Sequence, residues 1–345
     1  MRIGVLCSGG DSPGMNAAIR GVVLRGVEVL GHEMIGFMDG WRGFLEGDWI
    51  NLDRSAVRGI APHGGVMLGT SRVSPFSSRA GEPGDYEMIR GRMAEYGIEG
   101  FVLIGGDGTH RVSKMLHDQG IHVVGLPKTI DNDIVGTDYS FGFDTAVSTA
   151  TEAIDRLRTT GESHRRCMVL EVMGRNAGWI ALHAGMAGGA QVTLIPEHPE
   201  SLEQIAEWVL SVQERGRSSL VVVAEGFRLD GMTEAVTSPG VDRFGRPRLG
   251  GIAEVLAPLI EERTNIETRA TVLGYVQRGG SPTAFDRVLA TRTGFAGADA
   301  IDAGQWGMLA ALRGDEIVLV PFSEVVGHFK AVPARRYLEV RKNFG

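Results

Sequence analysis

The segment Pro127-Lys128-Thr129-Ile130-Asp131-Asn132-Asp133 places two carboxylates two residues apart. In an extended loop that spacing turns both side chains to one side. One carboxylate could then take a proton from a hydroxyl while the other faces a metal ion. The same Asp and Asn residues also suit an ordinary turn. The preceding run, Ile121 to Leu126, reads as a buried parallel strand, and Pro127 ends its ladder.

Other segments carry the chemistry of phosphate binding. Ser8-Gly9-Gly10-Asp11-Ser12-Pro13-Gly14-Met15-Asn16 lies between an apolar run, Ile3 to Cys7, and a helical pattern, Ala17 to Leu30. A strand, a glycine turn and a helix start offer backbone N–H groups and a positive dipole end to an anion. The motif is neither GxGxxG nor a Walker loop, so a tight turn without ligand is the alternative. Gly105-Gly106-Asp107-Gly108-Thr109 follows the strand Gly100 to Ile104. Its glycines, carboxylate and hydroxyl suit a polyphosphate with Asp107 on magnesium. Similar motifs occur in NAD kinases and lipid kinases. Gly64 to Arg72 is a further glycine-rich loop; Arg72 is either a phosphate clamp or a solvated surface group. In open α/β sheets, ligands bind at the C-terminal ends of the strands.

These loops need a scaffold of alternating strands and helices. Strands are expected at Met34–Met38, Cys167–Val172, Val192–Ile195, Leu220–Ala224, Ala270–Leu273 and Ile317–Pro321, with helices at Tyr86–Tyr96, Thr145–Arg158, Trp179–Met186, Ser201–Arg215 and Phe285–Ala303. Ser201 and Gln204 are spaced as a capping box. Asp230 to Gly251 reads as a surface insertion, and the tail bearing Arg335, Arg336, Arg341 and Lys342 as a solvated helix. The alternation gives an α/β protein of two similar domains, each a mostly parallel sheet flanked by helices. Residues 1–142 with 277–330 would form one domain, and 143–276 with 331–345 the other.

Composition narrows the class. At 345 residues the chain can bury two domains' worth of core. Its 50 glycines sit mostly in short turns after apolar runs. A net charge of −7 with no basic block argues against nucleic acid. Cys7 and Cys167 lie in apolar runs and read as buried, reduced thiols. Ile3 to Cys7 is too short for a signal sequence, and no run reaches membrane-spanning length, so a soluble cytoplasmic protein is expected.

Taken together, Ser8–Asn16, Gly105–Thr109, Pro127–Asp133, Glu171-Val172-Met173-Gly174-Arg175, Thr268–Gly274 and Gln277-Arg278-Gly279-Gly280 resemble the 6-phosphofructokinases of the phosphofructokinase A type. The likeness runs from the first strand to about Ala303. Lys128 and the insertion after Gly226 resemble the mixed-substrate, actinobacterial-type branch, some members of which use ATP and others pyrophosphate.

The resemblance implies the phosphofructokinase fold and phosphoryl transfer from ATP to the 1-hydroxyl of fructose 6-phosphate, with Mg2+ as cofactor. It implies that Asp131 is the general base, that Thr129 and Asp133 shape its loop, and that Asp107 and Asp133 hold the metal. Gly10, Arg72, Val73, Gly106, Asp107, Gly108 and Thr109 would surround the nucleotide phosphates. Ile130, Met173, Gly174, Arg175 and Glu225 would hold the sugar, Arg175 also lying near the transferring group. Arg166, Arg269, Tyr275, Val276, Gln277 and Arg278 would bind the 6-phosphate side, with Arg166 and Arg269 supplied by a neighbouring subunit. A homo-oligomer follows, a tetramer being usual. The sequence departs from the family pattern at Tyr275, where bacterial members often carry His. It departs also at Leu24 and Gln191, where members controlled by phosphoenolpyruvate and ADP carry a basic residue and a glutamate. The donor residues point in opposite directions: Gly108 leaves room for a nucleotide, whereas Lys128 matches pyrophosphate users. The steric filter at 108 outweighs the charge at 128, so ATP is expected, with pyrophosphate the alternative and a non-catalytic sugar-phosphate sensor a third.

Overall fold

The computed structural model describes residues 1–232, 234–241 and 247–345. In chain order the elements begin with β1 (Arg2–Cys7), α1 (Met15–Val23), β2 (Glu33–Phe37), α2 (Trp41–Glu46), β3 (Trp49–Asn51), α3 (Pro83–Tyr96), β4 (Gly100–Gly105), α4 (Asp107–Asp118) and β5 (Val123–Pro127). They continue with α5 (Phe143–His164), β6 (Cys167–Val172), α6 (Trp179–Gly188), β7 (Val192–Leu194), α7 (Leu202–Glu214), β8 (Leu220–Ala224), β9 (Thr237–Val241), β10 (Pro247–Leu249), α8 (Ile252–Thr264) and β11 (Thr268–Val272). The last are α9 (Ala284–Asp302), β12 (Met308–Arg313), β13 (Glu316–Pro321), α10 (Phe322–Val325) and α11 (Ala334–Arg341). The chain divides into two compact units, Met1–Thr145 with Arg278–Phe329 and Ala146–Gln277 with Lys330–Gly345.

The first unit holds a seven-stranded sheet in the order β13-β12-β5-β4-β1-β2-β3. From β12 to β2 every neighbouring pair is parallel, and β13 and β3 add antiparallel edges. Alternation along β1 sends Ile3, Val5 and Cys7 into one apolar layer with α1, and Leu6 into the other with Phe37, Trp41 and Phe101. A strand covered on both faces must be apolar throughout, which is why β1, β4 and β5 read as unbroken hydrophobic runs.

The second unit holds a four-stranded parallel sheet in the order β11-β6-β8-β7. Cys167, Val169, Val221 and Val223 pack against Ile205 and Val209 of α7 and Leu256 and Ile260 of α8. Each unit is thus a mostly parallel sheet flanked by helices, the expected α/β class. Both cysteines are free and buried. Among the described residues no helix is long and apolar enough to cross a membrane.

Several elements differ from the expectation. The helix foreseen over Ala17–Leu30 stops at Val23 and continues as a π-helix, Leu24–Val29. Strand β12 was not foreseen: its Met-Leu-Ala-Ala-Leu-Arg sequence favours helix locally, and pairing with β5 and β13 overrides that preference. The tail helix is not merely solvated. Tyr337 is buried, and Arg341 reaches Glu200 at 2.6 Å. Of the expected insertion Asp230–Gly251, Thr233 and residues 242–246 lie outside the described residues, and the rest carries the antiparallel pair β9–β10.

Candidate active site

In the first unit the register aligns Cys7 with Ile104 and Gly105 with Pro127, so β1, β4 and β5 end side by side. Their loops are sewn together by backbone groups. Ser8 N–H donates to Ile104 O at 3.0 Å, Gly9 N–H to Ser71 O at 3.0 Å, and Lys128 N–H to Gly105 O at 2.9 Å. The second of these ties the segment holding Arg72 and Val73 to the first glycine turn. Gly106 caps α4, so Asp107 and Gly108 open that helix, where first-turn N–H groups lack partners within the helix. Three strand ends and a helix start therefore converge on one rim, as expected for an anion site.

Lys128 is buried beneath this rim. Its Nζ donates to Gly10 O and to Ser8 O, the latter at 3.4 Å. Burial, with the Arg278 guanidinium nearby, pulls its pKa down to about 8. Arg278 itself donates to Asp11 O at 3.0 Å. The lysine is therefore a strut beneath the glycine loop, its ammonium turned inward.

The acidic loop is not extended. Asn132 has φ +51°, a left-handed conformation that Asn tolerates better than most residues. Its side chain locks the turn by accepting from Ser140 N–H at 3.1 Å and donating to Asp138 O at 3.3 Å. Thr129 Oγ1 accepts from Asp131 N–H at 3.1 Å. Although the premise of an extended loop fails, the two carboxylates remain near enough for the charge of Asp131 to act on Asp133. Burial pushes Asp133 up to about 7, and the charges of Asp131 and Asp107 add to the rise. Among the described residues no group of three or more carboxylate, His or Cys side chains is gathered tightly enough to form a metal cluster on its own. Mg2+ usually takes one or two carboxylates and completes its shell with phosphate and water. Asp107 and Asp133 fit that donor set. Asp107 pairs with Arg111 at 2.9 Å.

In the second unit, β6, β8 and β11 end together. Glu225 N–H donates to Val172 O at 2.9 Å, Gly226 N–H to Gly174 O at 3.2 Å, and Leu273 N–H to Glu171 O at 3.0 Å. Met173, Gly174, Arg175, Glu225, Tyr275 and Val276 are carried on these three neighbouring ends. A Cβ on Gly226 would lie 2.0 Å from Arg175 O, so only glycine fits there. Glu171 is turned away, accepting from Gly251 N–H at 3.0 Å and Ala253 N–H at 2.9 Å at the start of α8. Burial raises its pKa.

Residues 2–301 match the family model described as Phosphofructokinase. The chain belongs to the phosphofructokinase family. It is 53% identical to the pyrophosphate–fructose 6-phosphate 1-phosphotransferase of Amycolatopsis methanolica, covering all of both chains. It is 49% identical to ATP-dependent 6-phosphofructokinase 3 of Streptomyces coelicolor, covering 98% of each. Among solved structures, Pichia pastoris phosphofructokinase in the T-state superposes with a TM-score of 0.82 at 30% identity, over 99% of this chain and 36% of that one. Actinobacterial relatives thus carry both donor names, in keeping with a mixed branch, and the chain is a phosphotransferase of this family.

Within this phosphofructokinase some expected site residues sit elsewhere than at the rims. Arg166 immediately precedes β6, and Arg269 pairs with Met168 near the start of the same strand. Both therefore lie toward the N-terminal ends of their strands, whereas Met173 and Arg175 follow the C-terminal end of β6. Both pair with Glu267, Arg166 at 2.8 Å. Thr109 is buried with its hydroxyl on Ser8 O at 3.3 Å, so its side chain serves the loop. Ile130 is fully buried and can offer only its backbone. Gln277, expected to face the sugar phosphate, is fully buried as well. Sequence reasoning missed Asn132, Glu171 and Arg111 as supports, because their partners are distant in sequence or generic in type. A cavity of about 700 Å³ lined by Arg20, Leu24, Arg54 and Arg58 shares no residue with either rim.

Proposed function

We propose that this protein is a glycolytic, cytoplasmic 6-phosphofructokinase that transfers the γ-phosphoryl group of ATP to the 1-hydroxyl of D-fructose 6-phosphate, giving fructose 1,6-bisphosphate and ADP. The observation that carries the reading is the acidic loop after β5. It carries Asp131 and a half-buried Asp133 whose pKa desolvation and the charges of Asp131 and Asp107 push up to about 7. Asp131 would accept the hydroxyl proton as the oxygen attacks phosphorus, with Thr129 holding the backbone of the loop. Asp107 and Asp133 would hold Mg2+, which, when bound, neutralises polyphosphate charge. Gly10, Arg72, Val73 and the segment Gly106–Thr109 would line the phosphates. Met173, Gly174, Arg175 and Glu225 would orient the sugar, Arg175 also countering charge on the transferring group. Tyr275, Val276 and Arg278 would serve the 6-phosphate. Arg166 and Arg269 would serve it in a partner subunit, since they lie toward the strand starts and away from the loop that follows β6.

ATP is favoured by Gly108, where an added Cβ would meet nothing within 4 Å. With no side chain at 108, neither bulk nor an added carboxylate at that position competes with a nucleotide phosphate. A second reading, with pyrophosphate as donor, is favoured by Lys128 under the glycine turn and by the name of the 53%-identical relative. The test is kcat/KM for fructose 6-phosphate phosphorylation with each donor. Higher kcat/KM with ATP is expected. Preference for pyrophosphate would move the assignment to the second reading, and turnover with neither donor would sink both.

A further inference from the structure

We propose that Gln277 is a positioning residue that sets the loop after β11 against the loop after β6. It does so without touching substrate. The inference rests on the sugar-phosphate role given above to Met173–Arg175 and Tyr275.

Gln277 has no exposed surface, whereas its neighbours Tyr275 and Val276 are 77% and 64% exposed. Both ends of its amide are in use. Oε1 accepts from Met173 N–H at 3.1 Å, and Nε2 donates to Gly274 O at 3.0 Å. The pairing fixes the orientation of the amide, because a flipped group would set N–H against N–H and oxygen against oxygen. Strand β11 ends at Val272, and its last tie to β6 is Leu273 N–H on Glu171 O. Beyond that point the loop carrying Tyr275 is held to the β6 loop by a side chain instead of a ladder. Buried amide groups left without partners are costly, so the contact has effectively one arrangement. A residue so placed transmits its geometry to two loops that meet the same sugar phosphate and has no direct bearing on the donor.

The test compares wild type, Gln277→Met and Gln277→Glu. Methionine keeps the length and removes both hydrogen bonds; glutamate keeps an acceptor for Met173 and loses the donor to Gly274. For Gln277→Met the KM for fructose 6-phosphate should rise tenfold or more, with the donor KM within twofold of wild type. Gln277→Glu should fall between. Amide hydrogen exchange at Met173 should be slow in wild type and in Gln277→Glu and fast in Gln277→Met. An equal rise in both KM values, or an unchanged sugar-phosphate KM beside a lowered melting temperature, would overturn the proposal and leave Gln277 a packing residue. Should Gln277→Met fail to fold, an unchanged sugar-phosphate KM in Gln277→Glu would have the same effect. If the wild type neither binds nor turns over fructose 6-phosphate, the functional reading fails instead. The exchange rate at Met173 would still report whether the amide tie exists.

Discussion

Asp131 and Asp133 are the same residue type two positions apart, yet their surroundings separate their tasks. Asp133 is held up near 7 by burial and by its acidic neighbours, so an unliganded loop keeps part of it protonated. Asp131 has its backbone fixed by Thr129, which suits a base that must meet one hydroxyl. Replacing Asp131 with Ser is expected to lower kcat by roughly 10²–10⁴ while leaving fructose 6-phosphate binding and the thermal midpoint close to wild type. Near-normal kcat would remove Asp131 from the chemistry, and a collapsed midpoint would make it structural. The donor prediction also sits at single residues. Gly108→Asp places a carboxylate in open space at the start of α4 and should depress kcat/KM for ATP more than Lys128→Gly does. Lys128→Gly should harm both donors, because it removes the strut under Ser8 and Gly10 as well as a charge. A Lys128→Gly enzyme with unimpaired ATP use would show that the strut is dispensable.

At the scale of elements, the active loops are held by close packing as much as by hydrogen bonds. Gly226→Ala would force a methyl group against Arg175 O and shift the loop after β6. Displacements of about 1 Å can cost on the order of 10² in rate, and a loss of that size in kcat/KM is expected without loss of the sheet. Helix α4 makes a pH prediction. His110 is fully buried and stacks on Phe322 at 6.0 Å. Burial lowers its pKa from 6.5 to about 4, with the nearby Lys128 charge adding to the effect. The unfolded chain therefore takes up the proton first. The contribution of His110 is complete above about pH 6.5 and is lost as pH falls toward 4, by roughly 3 kcal/mol at most. His110→Leu should flatten the pH dependence of the melting temperature in that window, and an unchanged slope would assign acid sensitivity to other groups. Much of this framework was legible beforehand, because β1, β4, β5, β6 and β8 announce themselves as apolar runs closed by glycine or proline. The hairpin β12–β13 was half missed, since the alanines of β12 carry no strand signature of their own. In the site, glycine turns and acids were readable as motifs. The burial of Gln277 and Thr109, the left-handed turn at Asn132 and the inward course of Lys128 were not, because each depends on partners far away in the chain.

At the scale of the whole molecule the telling feature is the placement of two arginines. Arg166 and Arg269 stand toward the N-terminal ends of β6 and β11, and Arg175 follows the C-terminal end of β6. Pairing with Glu267 and Glu261 holds them there, partly exposed. Exposed ion pairs of this kind contribute little stability, so the arginines are free to exchange their carboxylates for a phosphate at modest cost. Arginine presents a fork of donors that fits phosphate oxygens. If a partner's sugar phosphate is what they meet, an enzyme with mixed subunits will reveal it. Asp131→Ser and Arg269→Ala chains are each expected to be inactive as pure assemblies, since each removes one half of every site. Mixed under conditions of demonstrated subunit exchange, some hybrid sites would combine an intact Asp131 from one chain with an intact Arg269 from the other. Activity should then return to a fraction of wild type set by the mixing ratio. Both arginines would have to act within their own chain if exchange were proven by mass labelling and activity stayed at the parental level.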